Sequence, residues 1–288
     1  MKKHRRFSAA PAIPLLALLI LLGAAALALY FCPRLGLFKG LYYSVFHSVS
    51  ALCNAGFDLM GAETPFSSLT AEAGNWYLNL VIMALIVIGG LGFFVWLDLL
   101  DSRFRFKNLR LHSKIVVFMT AVLLAGGALG LFLLELTGEA YEGMSLGDRI
   151  LASLFQSVTV RTAGFNTVDL AALREGSIFL MICLMVVGGS TGSTAGGMKT
   201  TTAAVLVLSI FSTFRQKKNV ECFKRRLEDG ITRTASCIFM MYLILIILST
   251  LVLSAAEGIP VLTAMFETTS AIATVGVTLG ITPEVSMV

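Results

Sequence analysis

The sequence predicts an all-α membrane protein built from repeated units, each a spanning helix, a short re-entrant segment and a second span. Three observations carry this. Hydrophobic residues make up 57% of the 288 and charged residues 14%, with a mean hydropathy of +0.86, whereas soluble domains hold about a quarter charged residues. Several apolar runs reach the roughly 20 residues that a helix needs to cross a hydrocarbon core ~30 Å thick. A short motif also recurs three times, at intervals of roughly 110 residues, the signature of a repeat architecture. The copies are FHSVSALCNAGF from Phe46, FQSVTVRTAGFNT from Phe155 and FETTSAIATVGV from Phe266. Each runs from Phe through a polar residue (His47, Gln156, Glu267) and a Ser/Thr-rich turn to Gly56, Gly164 or Gly276. The middle copy is one residue shorter between Phe and Gly.

The elements follow in chain order. Met1 to Arg6 is basic and Pro14 to Tyr30 apolar, with Ala26-Leu27-Ala28 resembling a cleavage site, as in a secretory signal peptide. The length of the run and its place in the repeat favour an uncleaved span, Pro14 to Phe31. Leu41 to Cys53 is half apolar and should enter the membrane and turn back at Asn54-Ala55-Gly56. Trp76 to Leu97 is the second span, with Trp76 and Tyr77 suited to the interface. Lys114 to Leu136 is the third, and Ile150 to Val160 the second re-entrant segment. Ile178 to Phe211 is too long for one plain helix and is interrupted by glycines. Ala235 to Ala256 spans again, and Val261 to Ala273 is the third re-entrant segment. The units are 1–110, 111–227 and the incomplete 228–288.

Charge placement sets the topology. Lys2, Lys3, Arg5 and Arg6 precede the first span. Arg103, Arg105, Lys107, Arg110 and Lys114 fill the first long loop, and Arg215, Lys217, Lys218, Lys224, Arg225, Arg226 and Arg233 the next. The positive-inside rule makes that side, and the N-terminus, cytoplasmic. Asp58, Glu63, Glu72, Glu135, Glu139, Glu142, Asp148, Asp169, Glu175, Glu257, Glu267 and Glu284 fall on or near the outer side. The re-entrant segments therefore enter at a mouth rich in carboxylates, which concentrates cations, although each acid singly reads as a solvated loop charge. The basic loops at 103–114 and 215–233 fit a contact surface for a partner, although anionic lipid would explain the same charges, and nothing suggests nucleic acid. Cys32, Cys53, Cys183, Cys222 and Cys237 lack CxxC spacing, which leaves metal and disulfide readings weak.

A helix that stops inside the membrane leaves its last carbonyls unpaired at an end carrying partial negative charge. Non-helical backbone at that depth must be buried in protein or line water. Glycine after the stop lets successive carbonyls aim at one axis, and rings of carbonyls replace the hydration shell of an alkali cation. The expectation is a monovalent-cation filter of backbone oxygens. The alternative is close packing by small residues, and three copies in register favour the filter.

Gly188 to Thr202, GGSTGSTAGGMKTTT, should unwind at mid-membrane, because five glycines in ten residues cannot hold a helix. It nearly matches a phosphate-binding loop, but Met198 separates Gly197 from Lys199 and no strand precedes it. Ser190, Thr191, Ser193 and Thr194 can satisfy the freed backbone. Lys199 either acts near the pathway or snorkels to the cytoplasm. Arg161 is expected to point away from the axis and pair with Glu267 or Asp169. His47 reads as a structural hydrogen-bonding group, and His112 has no catalytic partner. No HExxH, paired carboxylates on a helix face or Cys/His cluster suggests an enzyme.

FHSVSALCNAGF, FQSVTVRTAGFNT, GGSTGSTAGGMKTTT and SAIATVGVTLGITP, in this order over nearly the whole chain, resemble the pore-loop and gate sequences of the Trk/Ktr/HKT superfamily of potassium transporters, nearest the Ktr-type membrane subunit. The resemblance implies four helix–pore loop–helix units around a pseudo-fourfold axis, three of whose four loops are present here. It implies filter positions at Asn54, Ala55 and Gly56, at Thr162, Ala163 and Gly164, and at Thr274, Val275 and Gly276, with potassium held there and sodium as a second candidate. It implies an intramembrane gating loop over Gly188, Gly189, Ser190, Thr191, Gly192, Ser193, Thr194, Ala195, Gly196, Gly197 and Lys199. It further implies potassium uptake across the plasma membrane, a homodimer, a cytoplasmic nucleotide-binding regulatory ring and no covalent cofactor. By the same pattern the first repeat and the closing helix are missing. A non-conducting fragment or scaffold, and a secondary cation transporter with broken helices, are the competing expectations.

Overall fold

In the computed structural model, residues 12–62, 67–217, 219–223 and 225–282 are described. Lys2, Lys3, Arg5, Arg6, Glu63, Lys218, Lys224 and Glu284 lie outside them. Among the described residues, three helices are long and apolar enough to cross a membrane: α1 (Ala12–Leu35), α5 (Leu111–Leu134) and α9 (Asp229–Glu257), the last qualifying over Gly230–Glu257. Each is followed by a shorter helix that returns toward it, namely α2 (Leu37–Leu52), α6 (Leu146–Thr159) and α10 (Val261–Ile272). The α1–α2 turn is tight because Gly36 adopts φ 80° and Gly40 lies directly on the backbone of Cys32.

The third residue of the repeated motif makes the same kind of tie in all three units. Ser48 donates to the Ile20 carbonyl at 2.8 Å, and Ser157 to the Leu124 carbonyl at 2.8 Å. Thr268 lies 2.9 Å from the Thr250 hydroxyl. Gly23 and Gly127 leave room for the two serine side chains. In a bilayer such small-residue contacts and interhelical hydrogen bonds replace the hydrophobic drive as the source of helix pairing.

The second span departs from the expected single helix. Trp76–Leu91 forms α3 and Phe93–Asp101 forms α4, with a 93° bend between them. Gly92 takes φ 84° at the break, and Gly89-Gly90-x-Gly92 weakens the helix locally. The freed backbone groups are met by the glycine-rich segment: Ser190 N–H donates to the Gly90 carbonyl at 2.9 Å, and Phe93 N–H to that of Gly192 at 3.0 Å. The long span of the second unit is broken as expected, into α7 (Glu175–Val186) and α8 (Thr200–Phe214).

The two basic loops meet at one end of the molecule. A short hairpin of β1 (Glu221–Cys222) and β2 (Arg225–Arg226) follows α8. Its Phe223 ring stands edge-on to Phe106, 6.1 Å away, in the first basic loop. Buried Asp98 receives the Arg110 N–H at 2.9 Å and closes that loop. At the other end, buried Glu135 accepts from Arg174 N–H and the Ser177 hydroxyl, capping the start of α7. Glu135 is therefore a structural partner rather than a free mouth charge.

Candidate functional site

Each short helix stops at a residue in the left-handed region and then reaches a glycine of positive φ. The pairs are Asn54 (50°) and Gly56 (73°), Thr162 (67°) and Gly164 (92°), and Thr274 (57°) and Gly276 (88°). In the outer copies a six-residue turn closes the helix, with Ala55 N–H on the Ser50 carbonyl at 2.9 Å and Val275 N–H on that of Ser270 at 2.8 Å. The middle copy, one residue shorter, closes one residue earlier: Ala163 N–H meets the Thr159 carbonyl at 2.9 Å. These are αL helix ends, repeated three times at the same motif position.

The three glycines lie together. A Cβ on Gly56 would run into the Ala163 carbonyl, and one on Gly164 would sit 2.7 Å from the Val275 oxygen and 3.1 Å from the Gly56 Cα. One on Gly276 would meet only the Gly164 Cα, at 4.0 Å. Gly164 is thus the middle of an arc whose ends are Gly56 and Gly276. Its neighbours Thr162 and Ala163 are fully buried, while Ala55 and Phe57 on one flank and Thr274 on the other are exposed. Beyond the glycines opens a cavity of about 610 Å³, bordered by Asp58, Asn166, Asp169 and Thr278 among others.

The backbone beyond each glycine is held from behind by the motif's polar residues. His47 Nε2 accepts from Leu59 N–H at 3.3 Å, in keeping with its structural reading. Glu267, at the equivalent position, accepts from Leu279 N–H and the Thr278 and Thr282 hydroxyls, each at 2.7 Å. Gln156, in the shortened copy, is buried without a partner for either amide atom. The serine or threonine three residues further along reaches the residue after the glycine in two copies: Thr159 donates to the Phe165 carbonyl at 2.5 Å and Ser270 to that of Val277 at 2.6 Å.

The glycine-rich segment touches all three loops at their starts, opposite the cavity. Thr194 donates to the Leu52 carbonyl at 3.1 Å and stands 3.2 Å from the Asn54 side-chain oxygen. Arg161 donates to the Gly188 carbonyl at 3.1 Å. Gly196 lies against the Thr274 side chain, so closely that a Cβ would overlap its hydroxyl. The segment is folded on itself: Gly188 N–H bonds the Met198 carbonyl at 2.9 Å, Gly189 N–H that of Gly196 at 3.3 Å, and Ser190 and Thr200 share a hydroxyl contact at 2.9 Å. Gly197 takes φ 66°, Ala195 is buried and Thr191 is exposed. Ser193 Oγ is buried without a partner. Lys199 Nζ reaches back to the Ala195 carbonyl at 2.8 Å.

One sequence expectation changes. Arg161 pairs with neither Glu267 nor Asp169. Glu267 is taken up by residues 278–282, and Asp169 receives Ala171 N–H at 3.0 Å. The part played by Gly90, Gly92 and Phe93 in seating the segment went unseen, although the glycine cluster before Phe93 was its signal.

The fold and these converging loops define a multi-pass, all-α membrane protein in which short helices dip from one side and end on a shared backbone junction. The chain belongs to the TrkH family of cation transport proteins, whose profile matches residues 13–288. Its members are transporters, not enzymes. Similar proteins include the potassium/sodium uptake protein NtpJ of Enterococcus hirae, 40% identical over 271 residues, covering 93% of this chain and 59% of that one. The Ktr system potassium uptake protein B of Bacillus subtilis is 38% identical over 267 residues, with 92% and 59% covered. The chain thus spans 59% of the length of these relatives. The crystal structure of the potassium transporter TrkH from Vibrio parahaemolyticus shares the fold at a TM-score of 0.67 and 21% identity, over 89% of this chain and 53% of that one.

Proposed function

We propose that this protein takes part in potassium uptake across the plasma membrane, N-terminus inside, with sodium as a second permeant ion. The ion loses water to backbone oxygens at Asn54-Ala55-Gly56, Thr162-Ala163-Gly164 and Thr274-Val275-Gly276, in the way carbonyl rings replace hydration. Segment 188–199 gates passage beneath them. The observation that carries this reading is the convergence of three αL-terminated helix ends on three glycines, because it gathers negative helix ends at one point without an acidic side chain there. Asp58 and Asp169 at the cavity rim raise the local cation concentration. The names of the relatives, potassium or potassium/sodium uptake proteins and members of a Ktr system, agree with it. A homodimer, and a cytoplasmic nucleotide-binding ring docked on the basic loops at 103–114 and 215–233, belong to the same proposal.

A second reading, that the chain inserts without conducting alone, is favoured by the exposed flanks of the arc at Ala55, Phe57 and Thr274. Expression in cells lacking potassium uptake separates the two. Growth at low potassium, with rubidium influx, supports transport; silence despite verified insertion overturns it in favour of the second reading.

A further inference from the structure

Arg161 is the one residue of the three loops that brings a full charge into the junction, and its surroundings are unusual for a cation. Its residue is 7% exposed, and its Nε has no partner. None of the carboxylates among the described residues forms an ion pair with it. Its Nη2 donates to the Gly188 carbonyl, two residues beyond the end of α7. Arg161 itself stands two residues beyond the end of α6. A guanidinium so placed is balanced by the partial negative charge of helix ends, where a buried ion pair would ordinarily serve.

The glycine-rich segment has three ties to the loops. Thr194 on Leu52 is a neutral hydrogen bond, Gly196 on Thr274 is a packing contact, and Arg161 on Gly188 is charge-assisted. Charge-assisted bonds are the strong ones. Moving Gly188 away would leave a buried guanidinium short of its acceptor, a state that low dielectric penalises. Arg161 also adjoins Thr162 (φ 67°), the turn residue of the middle loop. The segment and the middle loop are therefore joined through one side chain.

We infer that Arg161 is a positioning residue, a cationic latch that holds segment 188–199 against the second re-entrant loop and so links the position of the segment to the conformation at Thr162-Ala163-Gly164. This rests on the gating reading of the segment for its consequence, but the latch itself is testable without ion flux.

The test compares Arg161→Met, Arg161→Gln and Arg161→Lys in the full chain carrying Ser193→Cys. Ser193 Oγ is buried in the seated segment, so a thiol there reports its release. Modification of residue 193 by a thiol reagent is followed by mass spectrometry, with native, exposed Cys237 on α9 as the internal reference. Labelling should rise about tenfold in the Met and Gln variants, the scale of losing one charge-assisted bond, and return toward the parent rate in the Lys variant, while Cys237 is unchanged. Equal rates at residue 193 in all variants would overturn the latch. So would a Lys variant as fast as the Met variant. If Cys237 shifts in the Met variant, signalling misfolding, the Gln and Lys pair decides by the same criteria. Rubidium flux, measured in parallel, tests the gate separately: faster labelling without flux in any variant keeps the latch and removes conduction.

Discussion

The Thr194 hydroxyl donates to the Leu52 carbonyl oxygen at 3.1 Å, joining the glycine-rich segment to the end of a helix 142 residues earlier. Leu52 is the last residue of α2, and its carbonyl has no partner within the helix. The bond therefore serves both elements. Thr194→Val keeps the shape and removes the donor, at a cost of about 1 kcal/mol. Rubidium leak through reconstituted protein should rise about fivefold, and Thr194→Ser should stay near the parent. Equal leak in the Val and Ser variants would show that the bond does not restrain the segment.

The three glycines should not be equally sensitive. Gly56→Ala forces a methyl into the Ala163 carbonyl and Gly164→Ala puts one 2.7 Å from the Val275 oxygen, whereas Gly276→Ala meets nothing closer than 4.0 Å. All three also strain a positive φ, at about 1–2 kcal/mol each. Uptake should fall most in the first two variants and least in the third, read as initial rubidium rates at matched expression. A Gly276→Ala variant as dead as Gly56→Ala would contradict the arc.

Gly92→Ala tests the bend in the second span. The added methyl would stand 2.8 Å from the Gly192 carbonyl carbon, at a backbone φ of 84°. Two or more kcal/mol of local destabilisation is expected from strain and overlap together. Because the bend seats residues 190–192, the effect should extend to faster proteolysis within segment 188–199. Cleavage confined to the 102–110 loop would separate the bend from the segment.

Glu267 holds residues 278–282 through three acceptor contacts. Glu267→Gln leaves one amide oxygen for donors that need both carboxylate oxygens. Loss of a charged acceptor costs on the order of 2 kcal/mol, so the melting temperature in detergent should drop by several degrees. His47→Gln, which can keep a single acceptor for Leu59 N–H, should be milder. The reverse order would mean that the first loop, not the third, depends on this position.

Much of the architecture was legible along the chain because it depends on local properties. The spans near residues 14–31, 114–136 and 235–256 announce themselves by apolar length, and all three form helices, α1 and α9 extending past the expected bounds at both ends and α5 shifted a few residues toward the N-terminus. The break between α7 and α8 follows from glycine density. The 93° bend after Leu91 was missed because hydropathy averages over Gly89, Gly90 and Gly92, and all the residues around them are apolar. Pairing Arg161 with a carboxylate was the ordinary expectation for a buried cation. It failed because nearby helix ends supply the compensating negative potential, and a linear pattern does not show where helix ends meet.

The sequence alone determined that this chain crosses a membrane repeatedly, that three short segments turn back at glycines, and that the second unit's long span is interrupted. These follow from residue-by-residue transfer energies and backbone permissiveness, which need no knowledge of neighbours. Only the tertiary structure decided that Asn54, Thr162 and Thr274 share a left-handed turn, that Gly164 sits between Gly56 and Gly276, and that Arg161 and Thr194 both reach the glycine-rich segment. Those relations join residues scores of positions apart. Carbonyl direction and hydrogen-bond partnership are set by how the helices pack, a property of the assembled bundle rather than of any stretch within it.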